Sequence, residues 1–396
     1  MATTDDDAPV RPATEVVHLG REPHAHHGFV NVPVYRGSTV LYPTLASLDA
    51  KTQAYTYGRR GTPTVRALED ALTRLAGGAD TKLAASGYQA VTTAILAFVE
   101  AGDHILMVDT TYQPTRQFCD YMLRRLGVET EYYDPLIGSG IARLIRPNTR
   151  FVYVESPGSQ TFEMQDIPAI AAAARAASDK IWIVADNTWA SPLYCQPLAL
   201  GADVSIEAGT KYLVGHADAL LGSVTSNARA ARHIERSAGH LGVCPGSEET
   251  FLGLRGLRTL DVRLARHQET GLRLARWLQG RPEISRVMHP ALPDDPGHVL
   301  WKRDCKGSTG LFSVLLKPVT RDALAAFLDG LKLFGMGYSW GGYESLVIPF
   351  DCSSYRTAAP WTAEGQTLRF HAGLENADDL IADLAAGFDR LATAAV

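Results

Sequence analysis

The chain is 396 residues long, room for two or three domains at about 150 residues each. Its residues are 46% apolar and 20% charged, and a formal net charge of -5 without a long basic run gives nucleic acid or an anionic membrane little to hold. No window approaches the roughly 18 apolar residues of a membrane span, and the opening "MATTDDDAPVRPATE" has no basic-then-apolar pattern, so a disordered start on a cytoplasmic protein is expected.

Residues 1–62 carry Pro and Gly but little periodicity and read as an extended arm suited to a subunit contact. Within it, His24, His26 and His27 lack a nearby Cys or acidic residue at metal-ligand spacing. From Pro63 onward helical and strand-like segments alternate. "PTVRALEDALTRLAGG" is a helix opened by proline and closed by glycines. After it come the strand "KLAAS", the helix "AVTTAILAFVEAG", the apolar run "HILMV", a helix around "RQFCDYMLRRLG" and the strand "TEYYD". "RFVYVES", the helix "IPAIAAAARAAS", "IWIVAD", "DVSIE" and "LLGSVTS" continue the alternation. Short, continuously apolar strands between helices predict an α/β architecture, a mostly parallel sheet flanked by helices, with ligands beyond the carboxyl ends of the strands.

Near residue 247 the pattern changes to one long helical stretch, "SEETFLGLRGLRTLDVRLARHQETGLRLARWLQG", that leaves the first domain. The strands "GLFSVLLK" and "TLRFHAGL", with the helices "DALAAFLDGL" and "DDLIADLAAGFDRLATAA", predict a smaller C-terminal α+β domain. The expected division is an arm over 1–62, a large domain over 63–257 and a C-terminal domain over 258–396. Cys119, Cys195, Cys244, Cys305 and Cys352 are odd in number and show no CxxC spacing, which speaks for reduced packing cysteines rather than a disulfide framework or a structural zinc site.

Chemistry concentrates just past the predicted strands. In "VSIEAGTKYLVGHAD", Lys211 follows a strand and sits among Gly209, Thr210 and Gly215. A surface lysine that snorkels is the plain alternative; a desolvated lysine becomes a nucleophile toward carbonyls. Asp186 ends the apolar run "IWIVAD", where a carboxylate needs either a cation or a capping role before "NTWAS". "LAASGYQAVTTAILAF" reads as strand, small-residue turn and helix, and the amides of Gly87 and Tyr88 at that helix start suit a dianionic phosphate. Tyr112, in "TTYQPT" after the strand "HILMV", either stacks on a flat ring or packs, and spacing does not decide.

Together, "SGYQAV", "DTTYQP", "YVESPGS", "ADNTWA", "TKYLVGHAD", "GLRTLDVRL", "YSWGGYES" and "LRFHAGLE" resemble, in order, the cystathionine-type pyridoxal phosphate (PLP) enzymes of cysteine and methionine metabolism, from about residue 30 to residue 390. Within that family "YGRRGTPT", "YLVGHAD" and above all "YSWGGYES" look like the bacterial β-lyases, Trp340 standing where γ-synthases and γ-lyases more often carry leucine. The resemblance implies an aminotransferase-like fold type I and a homotetramer whose smallest active unit is a dimer. It also implies elimination of the Cβ sulfur of L-cystathionine, in methionine biosynthesis, with cystine and other S-substituted cysteines as further substrates.

For the residues, the resemblance implies that Lys211 holds the cofactor and moves protons, that Asp186 keeps its pyridine nitrogen protonated, and that Tyr112 stacks on its ring. Gly87, Tyr88 and Thr210 would bind the phosphate, joined by Tyr57 and Arg59 from a neighbouring subunit. Arg369 would clamp the substrate α-carboxylate beside Ser339 and Trp340, with Arg60 and Tyr338 toward its distal end; on sequence alone a strand arginine also suits a surface ion pair. A γ-elimination or γ-replacement enzyme is the nearest alternative, followed by a PLP-binding regulatory protein and a cofactor-free Schiff-base aldolase. Two positions depart from the family pattern: Ala208 stands where many members have a phosphate-binding serine, and Gly239 and His240 stand where β-lyases place a tyrosine.

Overall fold

The structure is a computed structural model that describes residues 10–394. Residues 1–9, part of the stretch expected to be disordered, lie outside the described residues. The remainder of that stretch is not irregular: helix α1 (Pro12–His18) begins on a proline and buries Val16 against the large domain. α2 (Leu45–Ala50) opens with a Thr44–Ser47 capping box, so the arm carries short helices as well as extended chain.

The large domain runs through α3 (Pro63–Ala76), β1 (Asp80–Ala84), α4 (Gly87–Leu96), β2 (His104–Val108), α5 (Gln113–Gln117), β3 (Glu129–Tyr133), β4 (Thr149–Glu155), α6 (Ile167–Ala177), β5 (Trp182–Asp186), α7 (Ser191–Tyr194), β6 (Val204–Glu207), β7 (Gly222–Ser226) and α8 (Ala231–Leu241). α3 has its start fixed by Thr62, whose side chain accepts from Val65 N, and its end by Gly77 in the left-handed region. The helix expected around "RQFCDYMLRRLG" continues α5 with a π-helical stretch over Phe118–Leu123. The strands form one sheet in the order β1-β7-β6-β5-β4-β2-β3, parallel except at β7, which pairs antiparallel with both β1 and β6.

Alternate residues of each strand feed two separate cores. Tyr153, Val184 and Ile206 pack beneath α4 and α8, whereas Val154, Ile183 and Ala185 pack against α6. Burial on both faces is what makes these strands read as continuous apolar runs.

α9 (Ser247–Leu257) and α10 (Leu260–Gln279) replace the single long helix expected here. The break at Arg258 and Thr259 has a tertiary cause. Arg263 donates to the carbonyls of Tyr212 (2.6 Å), Leu213 (3.2 Å) and Gly256 (2.8 Å), tying the helix junction to the turn after β6. Gly256 permits the approach, since a Cβ there would lie 2.1 Å from the Leu213 carbonyl oxygen. α10 is shared between domains: Leu260 and Leu264 join the core around Leu68 and Leu213, whereas Leu274 and Leu278 join that of the C-terminal domain.

That domain comprises β8 (Ile284–Met288), α11 (His298–Asp304), β9 (Leu311–Leu316), α12 (Arg321–Asp329), β10 (Phe334–Gly335), β11 (Ser345–Phe350), β12 (Thr367–His371) and α13 (Ala377–Ala394), its sheet ordered β10-β11-β12-β9-β8.

A buried carboxylate joins the domains. Asp109, just past β2, accepts from Arg116 Nη1 at 2.8 Å and from the amides of Thr357 (3.0 Å), Ala358 (2.9 Å) and Ala359 (2.8 Å). Burial pushes its pKa up, but these donors outweigh burial and hold it below the usual aspartate value. Asp109→Ala would strand a buried guanidinium and three amides, and is expected to cost about 3–5 kcal/mol. A thermal melt should register this as a fall in Tm of roughly 5–10 °C; a fall below about 1 °C would contradict the assignment.

Candidate active site

The carboxyl ends of β2, β4, β5 and β6 open on a cavity of about 400 Å³ between the two domains. Ten of the residues singled out in the sequence line it: Gly87, Tyr88, Tyr112, Asp186, Thr210, Lys211, Tyr338, Ser339, Trp340 and Arg369. Tyr57, Arg59 and Arg60 do not. Tyr57 and both arginines are exposed, and Arg59 Nη1 donates to the Gly239 carbonyl (3.2 Å), within the segment that departs from the family pattern.

Lys211 lies in the turn after β6, and its Nζ donates to Ser339 Oγ at 2.6 Å, 5.3 Å from the centre of the Trp340 ring. The lysine therefore points into the cleft instead of snorkelling to the surface. Burial and then the Arg369 charge depress its pKa to about 8, against the pull of Asp186. Half of the side chains are thus free amine near pH 8 rather than near 10.5. Labelling of the apoprotein by an amine-selective reagent, followed by peptide mapping, should show Lys211 reactivity rising through pH 8 while exposed lysines stay protonated. A Lys211 profile parallel to theirs would contradict the geometry.

Asp186 ends β5. Its Oδ1 accepts the Thr188 amide (2.9 Å) and hydroxyl (2.6 Å), and Oδ2 faces the Tyr153 hydroxyl at 3.4 Å. Asp186 is therefore not the cap of the following helix, whose N-cap is Ala190; Oδ1 closes a local turn with Thr188 and Oδ2 is left facing Tyr153. Burial raises the Asp186 pKa, opposed by the Thr188 and Tyr153 hydrogen bonds and the Lys211 charge. A carboxylate so placed is stabilised by a cation reaching Oδ2.

At the other end of the cavity α4 begins. Ser86 caps it by accepting from Gln89 N (3.1 Å), and the first intrahelical bond runs from Ala90 N to the Ser86 carbonyl, which leaves the Gly87 and Tyr88 amides free for an anion. Gly87 is required by space, because a Cβ there would stand 2.3 Å from that of Ala208. The methyl of Ala208 therefore packs under the helix start, and its amide donates to Thr188 Oγ1 at 3.0 Å. Thr210 lines the cavity, but its hydroxyl donates to the Leu221 carbonyl (3.1 Å) and accepts the Leu221 amide (3.0 Å). These two bonds hold the Thr210 hydroxyl at the phosphate end of the cavity.

Arg369, on β12, is no surface ion pair. Burial holds its pKa down to about 10, and Nη2 donates to the Ser339 carbonyl at 3.2 Å. Ser339 (φ 79) and Gly341 (φ 87) both take left-handed conformations as the loop crosses Lys211. At Gly341 a Cβ would come within 2.9 Å of Lys211 Cα, so only glycine passes. Tyr338 stands at the rim, 91% exposed, and Tyr112 is 46% exposed over the cavity.

Glu155, Thr188, Ser86 and Trp189 also line the cavity and were not singled out from sequence. Thr188 had a signal, since Asp-x-Thr is a common local hydrogen-bonding turn.

A flat cationic ring, a dianionic group and a carbonyl to be captured are what this site can hold together: Asp186 for the ring nitrogen, the α4 amides for phosphate, Lys211 for the aldehyde carbon. The donor set fits pyridoxal phosphate, and the chain is a pyridoxal phosphate enzyme of the aminotransferase-like fold type I. Solved structures agree: cystathionine gamma synthase from Xanthomonas oryzae pv. oryzae, in complex with cystathionine, superposes with a TM-score of 0.89 at 30% identity, covering 98% of this chain and 100% of that one. The profile of the family described as Cys/Met metabolism PLP-dependent enzyme matches residues 13–389, and the chain belongs to that family. Relatives include the cystathionine beta-lyase of Salmonella typhimurium, 46% identical over 387 residues (96% of this chain, 98% of the relative). That of Escherichia coli is 45% identical over 390 residues, with the same coverage.

Proposed function

We propose that this protein cleaves the Cβ–S bond of L-cystathionine, taking up water and giving homocysteine, pyruvate and ammonia, and that it also acts on cystine and other S-substituted cysteines. The single observation behind this reading is the convergence of Lys211 Nζ, the Ser339–Trp340 loop and Arg369 in one cleft, in a chain 45–46% identical to two cystathionine beta-lyases.

Each side chain has a defined task. The Arg369 guanidinium binds the substrate α-carboxylate, which fixes which bond at Cα faces the lysine. Lys211, with a pKa near the working pH, removes the Cα proton and delivers a proton to the departing sulfur. Asp186 would hold a proton on the ring nitrogen of the bound cofactor. When bound, pyridoxal phosphate supplies an electron-withdrawing ring that accepts the electron pair left at Cα. Tyr112 would cover that ring, and the α4 amides would hold the phosphate.

Two copies complete the site. Tyr57 and Arg59 lie outside their own cavity, so in this reading they reach the phosphate end of a neighbour's, making the dimer the smallest active unit and a tetramer the assembly. Among the described residues no helix is long and apolar enough to cross a membrane, and cytoplasmic activity fits the reading.

A γ-reaction needs a second proton removed, at Cβ, whereas β-elimination needs one. Trp340, its ring centre 5.3 Å from Lys211 Nζ, stands where the resemblance gives γ-enzymes a leucine more often, which supports the β-reaction. Incubation with L-cystathionine and identification of the keto acid tests this: pyruvate with homocysteine is expected, and 2-oxobutyrate with cysteine would transfer the protein to the γ-reaction.

A further inference from the structure

Three neighbouring strands of the large sheet end in carboxylates: Glu155 on β4, Asp186 on β5 and Glu207 on β6. Glu155 and Asp186 are direct partners in the parallel register, so their side chains share the face beneath α4. Glu207 follows Ile206, the partner of Asp186, and therefore points to the opposite face. Two half-buried carboxylates side by side at strand spacing oppose each other's ionisation, and a cation at one relieves that one first. The cation that a bound ring nitrogen brings belongs to Asp186, as does the closer influence of Lys211.

Glu155 has a different set of partners. Its Oε2 accepts the backbone amide of Tyr112 at 2.8 Å and the Thr111 hydroxyl at 3.3 Å. Its own carbonyl accepts from Gln165 Nε2 at 2.7 Å, which fixes the strand end behind it. Tyr112 precedes the first turn of α5 and has no side-chain cap of its own. The neighbouring Thr110 is pinned by Ser159 N, which donates to its carbonyl at 2.9 Å. Among the described residues Glu155 is the hydrogen-bond acceptor of the Tyr112 amide, and Tyr112 is 46% exposed over the cavity. The Tyr112 carbonyl accepts Arg116 N at 3.1 Å in the first turn of α5, and its amide side is set by the end of β4.

We propose that Glu155 is a positioning residue that works as a neutral carboxyl: it seats Tyr112 over the cofactor site through the Tyr112 amide and leaves Asp186 the sole anion facing the ring. Burial and the Asp186 charge both drive the Glu155 carboxyl well above the usual range, in keeping with that form. A neutral Glu155 also avoids competing with Asp186 for the one ring proton.

The inference uses the lyase reading only for its activity arm; its binding and optical arms do not depend on which product forms. Wild type, Glu155→Gln and Glu155→Ala would each be purified, loaded with pyridoxal phosphate and compared by cofactor Kd, visible circular dichroism of the bound cofactor, Tm, and separate kcat and KM on L-cystathionine. Glu155→Ala frees the Tyr112 amide and should lower kcat about 10- to 100-fold with KM within about threefold, and weaken the visible circular dichroism. Glu155→Gln keeps a neutral acceptor and should restore kcat to within about fivefold of wild type with the optical signal intact.

A Gln variant as poor as the Ala variant would show that the charge matters and overturn the proposal, as would an Ala variant indistinguishable from wild type. A loss confined to Tm would also overturn it, in favour of plain packing. Should Glu155→Ala fail to fold, the Gln variant decides alone by its optical signal and its kcat. A wild type that binds the cofactor but releases no pyruvate would count against the lyase reading, leaving the cofactor Kd and circular dichroism to judge Glu155.

Discussion

Lys211→Ala is expected to lower cystathionine cleavage by at least about 10⁴-fold while leaving the fold intact. Two losses combine: the covalent anchor of the cofactor and the group that moves protons at Cα and the sulfur, the latter alone worth about 10²–10⁴-fold. The fold should survive because Lys211 makes one side-chain hydrogen bond, to Ser339 Oγ, and a lysine whose pKa is pushed down to about 8 is held against its preference for water. Removing such a group costs the native state little or relieves it. The measurement is kcat beside a thermal melt. Retained turnover above about 1% of wild type would contradict the assignment of the base, given the 10²-fold lower bound.

Asp186→Ala is expected to lower kcat by about 10²–10⁴-fold, since a buried cation left without its partner loses roughly 3–5 kcal/mol. The same change should weaken cofactor binding. It also strips Thr188 of an acceptor for both its amide and its hydroxyl, and through Thr188 Oγ1 loosens the Ala208 amide beneath α4. Asp186→Asn separates the two effects: the amide oxygen can keep the Thr188 bonds, while the charge that holds the ring proton is gone. A kcat loss shared by both variants with a Tm loss confined to Ala would fit this account. A kcat for Asn within about tenfold of wild type, a barrier change of only 1.4 kcal/mol, would contradict it.

The parts of this protein that were readable in the sequence are those set by short stretches of chain. Lys211 and Asp186 follow apolar strands directly, and the sheet puts every strand end on the same rim, so two local observations become one site. The same rule, a carboxylate closing an apolar run, also applied to Glu155 and nearly to Asp109, one residue past β2. Their donors, Tyr112 N and the amides of residues 357–359, come from elsewhere in the chain, so nothing next to them in sequence marks their role.

The break between α9 and α10 escaped for a like reason: the apolar periodicity runs through it, and only the reach of Arg263 to the carbonyls after β6 shows why the chain turns. The commitment of the Thr210 hydroxyl to Leu221 spans 11 residues and the far arm of a loop, which a motif match cannot see. Tyr57, Arg59 and Arg60 do not line the interdomain cavity of their own chain, and composition of an arm does not specify whose site it serves.

The most direct test of the central claim is to load the purified protein with pyridoxal phosphate, reduce it with borohydride, digest it and locate the phosphopyridoxyl group by mass spectrometry. The account predicts a single modified peptide carrying the label on Lys211, in "AGTKYLVGH", with the label lost in Lys211→Ala. Label on another lysine, or no label on a protein that has bound the cofactor, would contradict it.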